Sequence, residues 1–170
     1  QNIIIDSKSG YSGAGKKFEI KNIIDNKDLN FYNYNTNQHR HICEISQELQ
    51  KFSKSKINFS FNPHVLPIFR GIMSTIYCDL INGINESDII NTYKKEFSNN
   101  QFVKILKDDE KADFFSVCYT NKCLIKLCDH YSKDKIIIIS LIDNLIKGAS
   151  GQAIQCMNLI FGFDENIGLC

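Results

Sequence analysis

The chain has no tryptophan and only two prolines among its 170 residues. It also lacks a long apolar run. The longest, Ile136–Ile139, falls far short of the roughly 20 residues a membrane-spanning helix needs. Neither charge is in excess: 20 Lys+Arg stand against 19 Asp+Glu, which excludes a strongly basic nucleic-acid binder and an acidic disordered tail. Low-complexity segments and internal repeats are missing too. The opening residues, Gln1 to Asp6, read as neither a signal nor a transit peptide, so a cytoplasmic location is expected. What is present suits one domain over 1–170: 43% hydrophobic residues and enough length for a sizeable core.

Seven cysteines is an odd number, and no CxxC pair occurs. They read as small buried hydrophobes in a reducing compartment, rather than as a disulfide framework or a zinc cage. The cations are almost all lysine; the two arginines are Arg40 and Arg70. A residue so rarely used marks positions where a planar, bidentate fork is wanted.

Hydrophobic spacing predicts α+β architecture, with helices on one face of a mainly antiparallel sheet. Strands are expected at Asn2–Asp6, 57–61 (ended by Pro63), Ile72–Leu80, Phe102–Leu106, Phe115–Tyr119, Cys123–Cys128 and Ile136–Leu141. Residues 21–38 read as loop. A helix from His41 carries Ile42, Ile45, Leu49 and Phe52 on one side, and a second spans Glu86–Phe97, capped by Asn85 or Ser87. A third covers 144–161, with Asp143 as its cap and Leu145, Ala149, Ala153, Met157 and Ile160 along one side.

Four segments carry possible chemistry. Gly10 to Lys16 nearly completes a phosphate-binding loop, but Lys17 stands where a magnesium-holding hydroxyl belongs. His39-Arg40-His41-Ile42-Cys43-Glu44 gathers two imidazoles, a guanidinium and a carboxylate, open to acid–base work, metal ligation or plain solvation. The segment 63–71 holds both prolines, which stiffen it, and Arg70, placed to grip an anion. In 143–153, Gly148 and Gly151 imply close approach of a helix, backbone or ligand, beside Asn144, Lys147 and Gln152.

Taken in order, Asp6–Lys16 (DSKSGYSGAGK), His39–Ile45 (HRHICEI), Phe61–Thr75 and Ile142–Leu169 resemble the C-terminal half of the N-acetyl-gamma-glutamyl-phosphate reductase family. Cys43 replaces that family's usual proline in HRHxPEI, and Lys16 its usual arginine in SGAGR. The resemblance implies a glyceraldehyde-3-phosphate-dehydrogenase-like C-terminal domain that reduces an acyl phosphate to a semialdehyde with NADPH, through a cysteine thioester, in arginine biosynthesis. The family's NADP-binding domain and its nucleophilic cysteine precede the point where this chain begins. The chain is therefore expected to be the catalytic and dimerisation half, inactive alone, with NADP bound mainly by the other half.

By resemblance, His39 is the general base and acid, with no metal required. Ser9, Gly10, Arg40, His41, Glu44 and Arg70 serve N-acetyl-gamma-glutamyl phosphate. Asn144, Lys147, Gly148, Gly151 and Gln152 lie near the cofactor, the helix 144–161 packing beside the NADP domain. Homo-oligomerisation through this domain is implied; nucleic acid and membrane are not. An aspartate-semialdehyde-dehydrogenase-like half and a non-catalytic interaction module are the rival readings.

Overall fold

The computed structural model describes residues 2–15, 21, 24–25, 28–81 and 83–169. Lys16 and Lys17, on which the phosphate-loop reading turned, lie outside these residues, as does Cys170. In chain order the strands are β1 (Asn2–Gly10), β2 (Ile24–Asp25), β3 (Asp28–Leu29), β4 (Tyr32–Asn33), β5 (Asn58–Leu66), β6 (Ile72–Asp79), β7 (Val103–Ile105), β8 (Cys123–Asp129) and β9 (Lys135–Ile142). The helices are α1 (Ile42–Lys51), α2 (Glu86–Glu96) and α3 (Gly151–Phe161). A seven-stranded sheet runs β4-β5-β1-β6-β9-β8-β7, and β2 pairs only with β3. β1–β5 and β7–β8 are parallel, while the other neighbours are antiparallel, so the sheet is mixed.

The register sorts side chains onto two faces. Ile3, Cys78 and Ile136 form one rung. With Ile138 they line a cleft of about 350 Å³ against Ile89 and Tyr93 of α2. The turn before α3 lies on this face too, because Gly148 sits against the Ile142 side chain. On the opposite face Met73, Leu141 and Leu124 form a rung that packs under Leu106, Ala112, Phe114 and Val117. Leu141 and Val117 are fully buried there, and truncating either to alanine would cost about 2–5 kcal/mol. Further along that face the rung Ile4–Tyr77–Ile137 is uncovered by the described residues; Ile4 is 49% and Tyr77 38% exposed.

Several boundaries differ from the sequence reading. β1 continues four residues past Asp6 because β5 and β6 flank it on both sides and satisfy its backbone through Ser9. Its polar end therefore belongs to the sheet, followed by a 3-10 turn at Tyr11–Ala14. Pro63 does not end its strand. Its carbonyl accepts the Tyr34 N–H at 3.0 Å, so the side of Pro63 without a donor faces the two-residue β4.

Residues 114–117 form a 3-10 turn rather than a strand, since Asp113 caps the Phe115 N–H at 2.9 Å and buries Val117. The stretch read as loop contains β2, β3 and the edge strand β4. Phe52 follows α1 as its terminal residue and is 89% exposed, so it does not join the stripe of Ile42, Ile45 and Leu49. Cys43 and Cys156 are exposed and the other described cysteines are only partly covered, against the expectation of burial; none is in a disulfide.

The predicted third helix is two structures. From Ile146 to Ser150 the backbone winds as a π turn, with Gly148 N–H donating to Asp143 O at 2.8 Å and Ser150 N–H to Leu145 O at 3.1 Å. Such wide turns are rare and concentrate at functional sites. α3 then begins at Gly151, and its buried side is polar: Gly151, Gln155 and Asn158. The stripe through Ala153, Met157 and Ile160 is exposed.

Candidate active site

Two polar centres emerge. The first surrounds Asp143, whose side chain has no solvent exposure. Its carboxylate accepts from Arg70 Nη1 at 3.1 Å and from the N–H groups of Tyr119 (2.7 Å), Leu145 (2.7 Å) and Ile146 (2.9 Å). Burial works to raise its pKa, but these donors outweigh it and hold the carboxyl below the usual aspartate value. Asp143 thus does not occupy the cap position the sequence suggested, which falls to Leu145 for the π turn and Ser150 for α3, but it holds the first N–H groups of that turn and anchors two distant loops.

Tyr119 pays for its place there with a left-handed backbone, φ +64°, a conformation uncommon for a bulky residue. Its N–H on Asp143 and its ring, 4.4 Å from the Arg70 guanidinium carbon, hold it. One end of the Arg70 fork is thereby committed to Asp143; Arg70 Nε is buried without a hydrogen-bond partner among the described residues.

Asn144 clamps the same region from the other side. Its Oδ1 accepts the Gly71 N–H at 2.8 Å and its Nδ2 donates to Ser12 Oγ at 2.8 Å. Gly10 N–H donates to Gly71 O at 2.8 Å, and a methyl group on Gly10 would stand 2.6 Å from the Phe69 carbonyl oxygen, so only glycine fits. Ser9 Oγ turns to the Gly10 carbonyl at 3.0 Å. Three of the segments singled out in the sequence (the end of β1, the loop holding Arg70, and 143–144) therefore meet at one place.

The second centre is the approach to α1. His39 is half-buried, with its ring 5.4 Å from that of Phe61, 4.7 Å from His41 and 5.5 Å from Tyr34. The His41 N–H donates to His39 Nδ1 at 3.2 Å, and Tyr34 Oη lies 3.5 Å from Nε2. Burial lowers the His39 pKa; neighbouring His41 and Arg40 lower it further, and Glu44 opposes them. Arg40, His41 and Glu44 are themselves exposed. Phe61 pairs with Ile5, and Ile5 shares its sheet face with Ser9 four residues on, so the Phe61 ring behind His39 and the Ser9 side chain lie on the helix-bearing face, about 13 Å apart along the strand.

The residues assigned to the cofactor are divided. Lys147 turns inward: Nζ donates to Gln155 Oε1 at 2.6 Å and lies 5.6 Å from the Phe102 ring centre, and burial lowers its pKa. Gln155 also accepts from the fully buried Asn121 at 2.9 Å and pairs with Glu165. Gly151 is closed against Asn121, whereas Gly148 is exposed and Gln152 half-exposed, its amide on Cys156 Sγ at 3.4 Å. Sequence reasoning missed Tyr34, Tyr119, Asn121 and Gln155. The Arg70–Asp143 pairing had one available signal, a lone arginine and a carboxylate in two segments already suspected. No group of three or more His, Cys, Asp or Glu among the described residues gathers to hold a metal.

This sheet with its helices is the fold of the semialdehyde dehydrogenases. Aspartate semialdehyde dehydrogenase II from Vibrio cholerae superposes with a TM-score of 0.72 over 94% of this chain and 54% of that one, at 16% identity. The enzyme from Francisella tularensis gives 0.68 over 93% and 57%, at 14% identity. Residues 1–144 match the model of the semialdehyde dehydrogenase dimerisation domain, and the chain belongs to that family. Its curated relatives are more specific. An N-acetyl-gamma-glutamyl-phosphate reductase of Clostridium botulinum is 46% identical over 98% of this chain and 48% of its own length. A Caldicellulosiruptor bescii reductase of that name is 45% identical over 99% and 49%, and a probable chloroplastic one of Arabidopsis thaliana 38% identical over 99% and 42%. The chain thus spans about half the length of the relatives it matches.

Proposed function

We propose that this chain is the catalytic and dimerisation half of a reductase that converts N-acetyl-gamma-glutamyl phosphate to the semialdehyde. One observation carries the reading: a relative 46% identical over 98% of the chain is a reductase of that name. The likeness to aspartate semialdehyde dehydrogenases is of fold alone, at 16% identity.

His39 is the proton carrier. An ordinary thiol, with a pKa near 8.5, is largely protonated at neutral pH, and a positioned imidazole takes its proton and later returns it to the substrate oxygen. A lowered pKa keeps the His39 ring neutral, ready to accept. The nucleophilic cysteine belongs to the other half, and none of this chain's cysteines is assigned that role. Exposed Arg40, His41 and Glu44 face the substrate, with Ser9 and Gly10 at the end of β1.

NADPH, bound mainly by the other half, supplies the hydride. Asn144 and Lys147 spend their polar groups inside this chain, so its surface for a cofactor narrows to the exposed turn 148–150 and Gln152. The exposed Met157, Ile160 and Phe161 of α3 offer that half an apolar seat.

A second copy covers the bare rung Ile4–Tyr77–Ile137, beside which Lys8 pairs with Asp6 at 2.6 Å. Tyr77→Lys should shift sedimentation toward monomer; unchanged association would place the interface elsewhere.

The catalytic reading is tested in the chain extended to its relatives' full length, by following NADPH consumption with N-acetyl-gamma-glutamyl phosphate. His39→Asn should lower kcat by about 10²–10⁴-fold. Near-normal turnover in that variant would end the assignment. The 170-residue chain alone should be inactive.

A further inference from the structure

The environment of His39 singles out one residue that the sequence motif does not contain. A neutral imidazole has one donor and one acceptor nitrogen. The His41 N–H donates to Nδ1 at 3.2 Å, so Nδ1 is the acceptor and the ring hydrogen sits on Nε2. Nε2 lies 3.5 Å from Tyr34 Oη, long for a hydrogen bond but within the range that closes when substrate fills a site. The rings of Tyr34, His41 and Phe61 stand edge-on to His39, at 69°, 71° and 74°, and fix its plane from three sides.

We propose that Tyr34 is the positioning residue for His39: its hydroxyl oxygen accepts the Nε2 hydrogen and leaves Nδ1 as the nitrogen that exchanges the proton. This rests on the acid–base reading of His39. The balance is simple. Nδ1 gains a proton from the thiol and gives up the His41 N–H bond, while Nε2 keeps its hydrogen on Tyr34 throughout. In a Ser-His-Asp triad a carboxylate performs that service. Here a neutral phenol does, so the ring is oriented with a smaller rise in basicity than a carboxylate would give. Burial raises the Tyr34 pKa, which keeps the phenol uncharged. The groups facing His39 are Arg40, His41 and Glu44 from its own segment, Tyr34 from the residue after β4, and from β5 only the Phe61 ring. Arg40 and Tyr32 act on Tyr34 in turn.

The test is Tyr34→Phe in the chain extended to full length, which keeps the ring and removes only the hydroxyl. The expected result is a kcat lower by about tenfold, the scale of one hydrogen bond, with KM nearly unchanged. The acid limb of kcat/KM should move to lower pH, because the imidazolium loses its acceptor. Unchanged kcat and limb would overturn the proposal. So would a raised KM at unchanged kcat, which would make Tyr34 a substrate contact. Should the variant fail to fold, nitrogen NMR of His39 in the unaltered protein decides: a resting ring with its hydrogen on Nδ1 overturns the assignment. Near-normal turnover by His39→Asn would instead remove the acid–base reading beneath it.

Discussion

The Asp143 and His39 centres use similar residue types to opposite ends. Around Asp143, nearly every polar group is spent: the carboxylate holds a guanidinium and three backbone donors, and Asn144 beside it ties the Arg70 loop again at Gly71 and adds the turn at Ser12. Around His39 the contacts are mostly ring edges, and the neighbouring charges Arg40 and Glu44 face water. The first centre fixes where chain segments lie; the second keeps a titrating group adjustable. Both sit in segments that look functional in the sequence. Residue type alone therefore does not separate a structural ion pair from a working imidazole, whereas satisfaction of hydrogen bonds does.

The contrast can be broken most forcefully at Asp143. Asp143→Ala leaves the partly buried Arg70 and three backbone donors without their acceptor, and urea denaturation should record a loss of about 3–5 kcal/mol. A loss below about 1 kcal/mol would mean that the loops are held by something else. The pH dependence follows from the same carboxylate. Its folded pKa lies below the unfolded value, about 3.9. Its contribution is therefore complete above that value and lost as the pH falls through the folded one. The Asp143→Asn variant should show a flatter acid limb of stability than the unaltered chain; parallel limbs would contradict this. The smallest effect belongs to His39→Asn, whose unfolding free energy should stay within about 0.5 kcal/mol despite its large effect on kcat. A change as large as that of Asp143→Ala would erase the distinction between the two centres.

Where one physical signal dominated, the fold was legible. Apolar, β-prone runs placed β6 and β9 to within a residue, and Asn85 capped α2 as expected, its Oδ1 accepting from Asp88 N at 3.1 Å while Asp88 reaches back to its N–H. Legibility failed where tertiary pairing overrode local pattern. Ser7 to Gly10 carry no apolar alternation, yet two neighbouring strands make them sheet. The apolar side of α3 is real, but burial went to Gln155 and Asn158, because Asn121, Glu165 and the Ile167 carbonyl wait beneath. Periodicity finds a stripe; it does not say what the stripe meets. Of the candidate site, the segments around His39, Arg70 and 143–144 stand out by residue type, but nothing in their residues says that the last two meet at the end of β1. Tyr34 does not stand out, since it lies in an asparagine-rich stretch without period, and it matters only through a ring five residues on.

β1 occupies the middle of the sheet, yet it leaves the ribosome before either neighbour. Its partners, β5 and β6, begin 50 or more residues later, at Asn58 and Ile72. A central strand of this kind cannot be zipped up locally, and closing so long a segment is an entropic toll exacted before any pairing rewards it. Until Leu66 has been synthesised neither flanking strand is complete, and until Asp79 the edge of Ile3, Ile4 and Ile5 that faces β6 stays open, the kind of template on which nascent chains stick to one another. The position of one strand thus makes birth, rather than the finished state, the time when this molecule is most in need of chaperones.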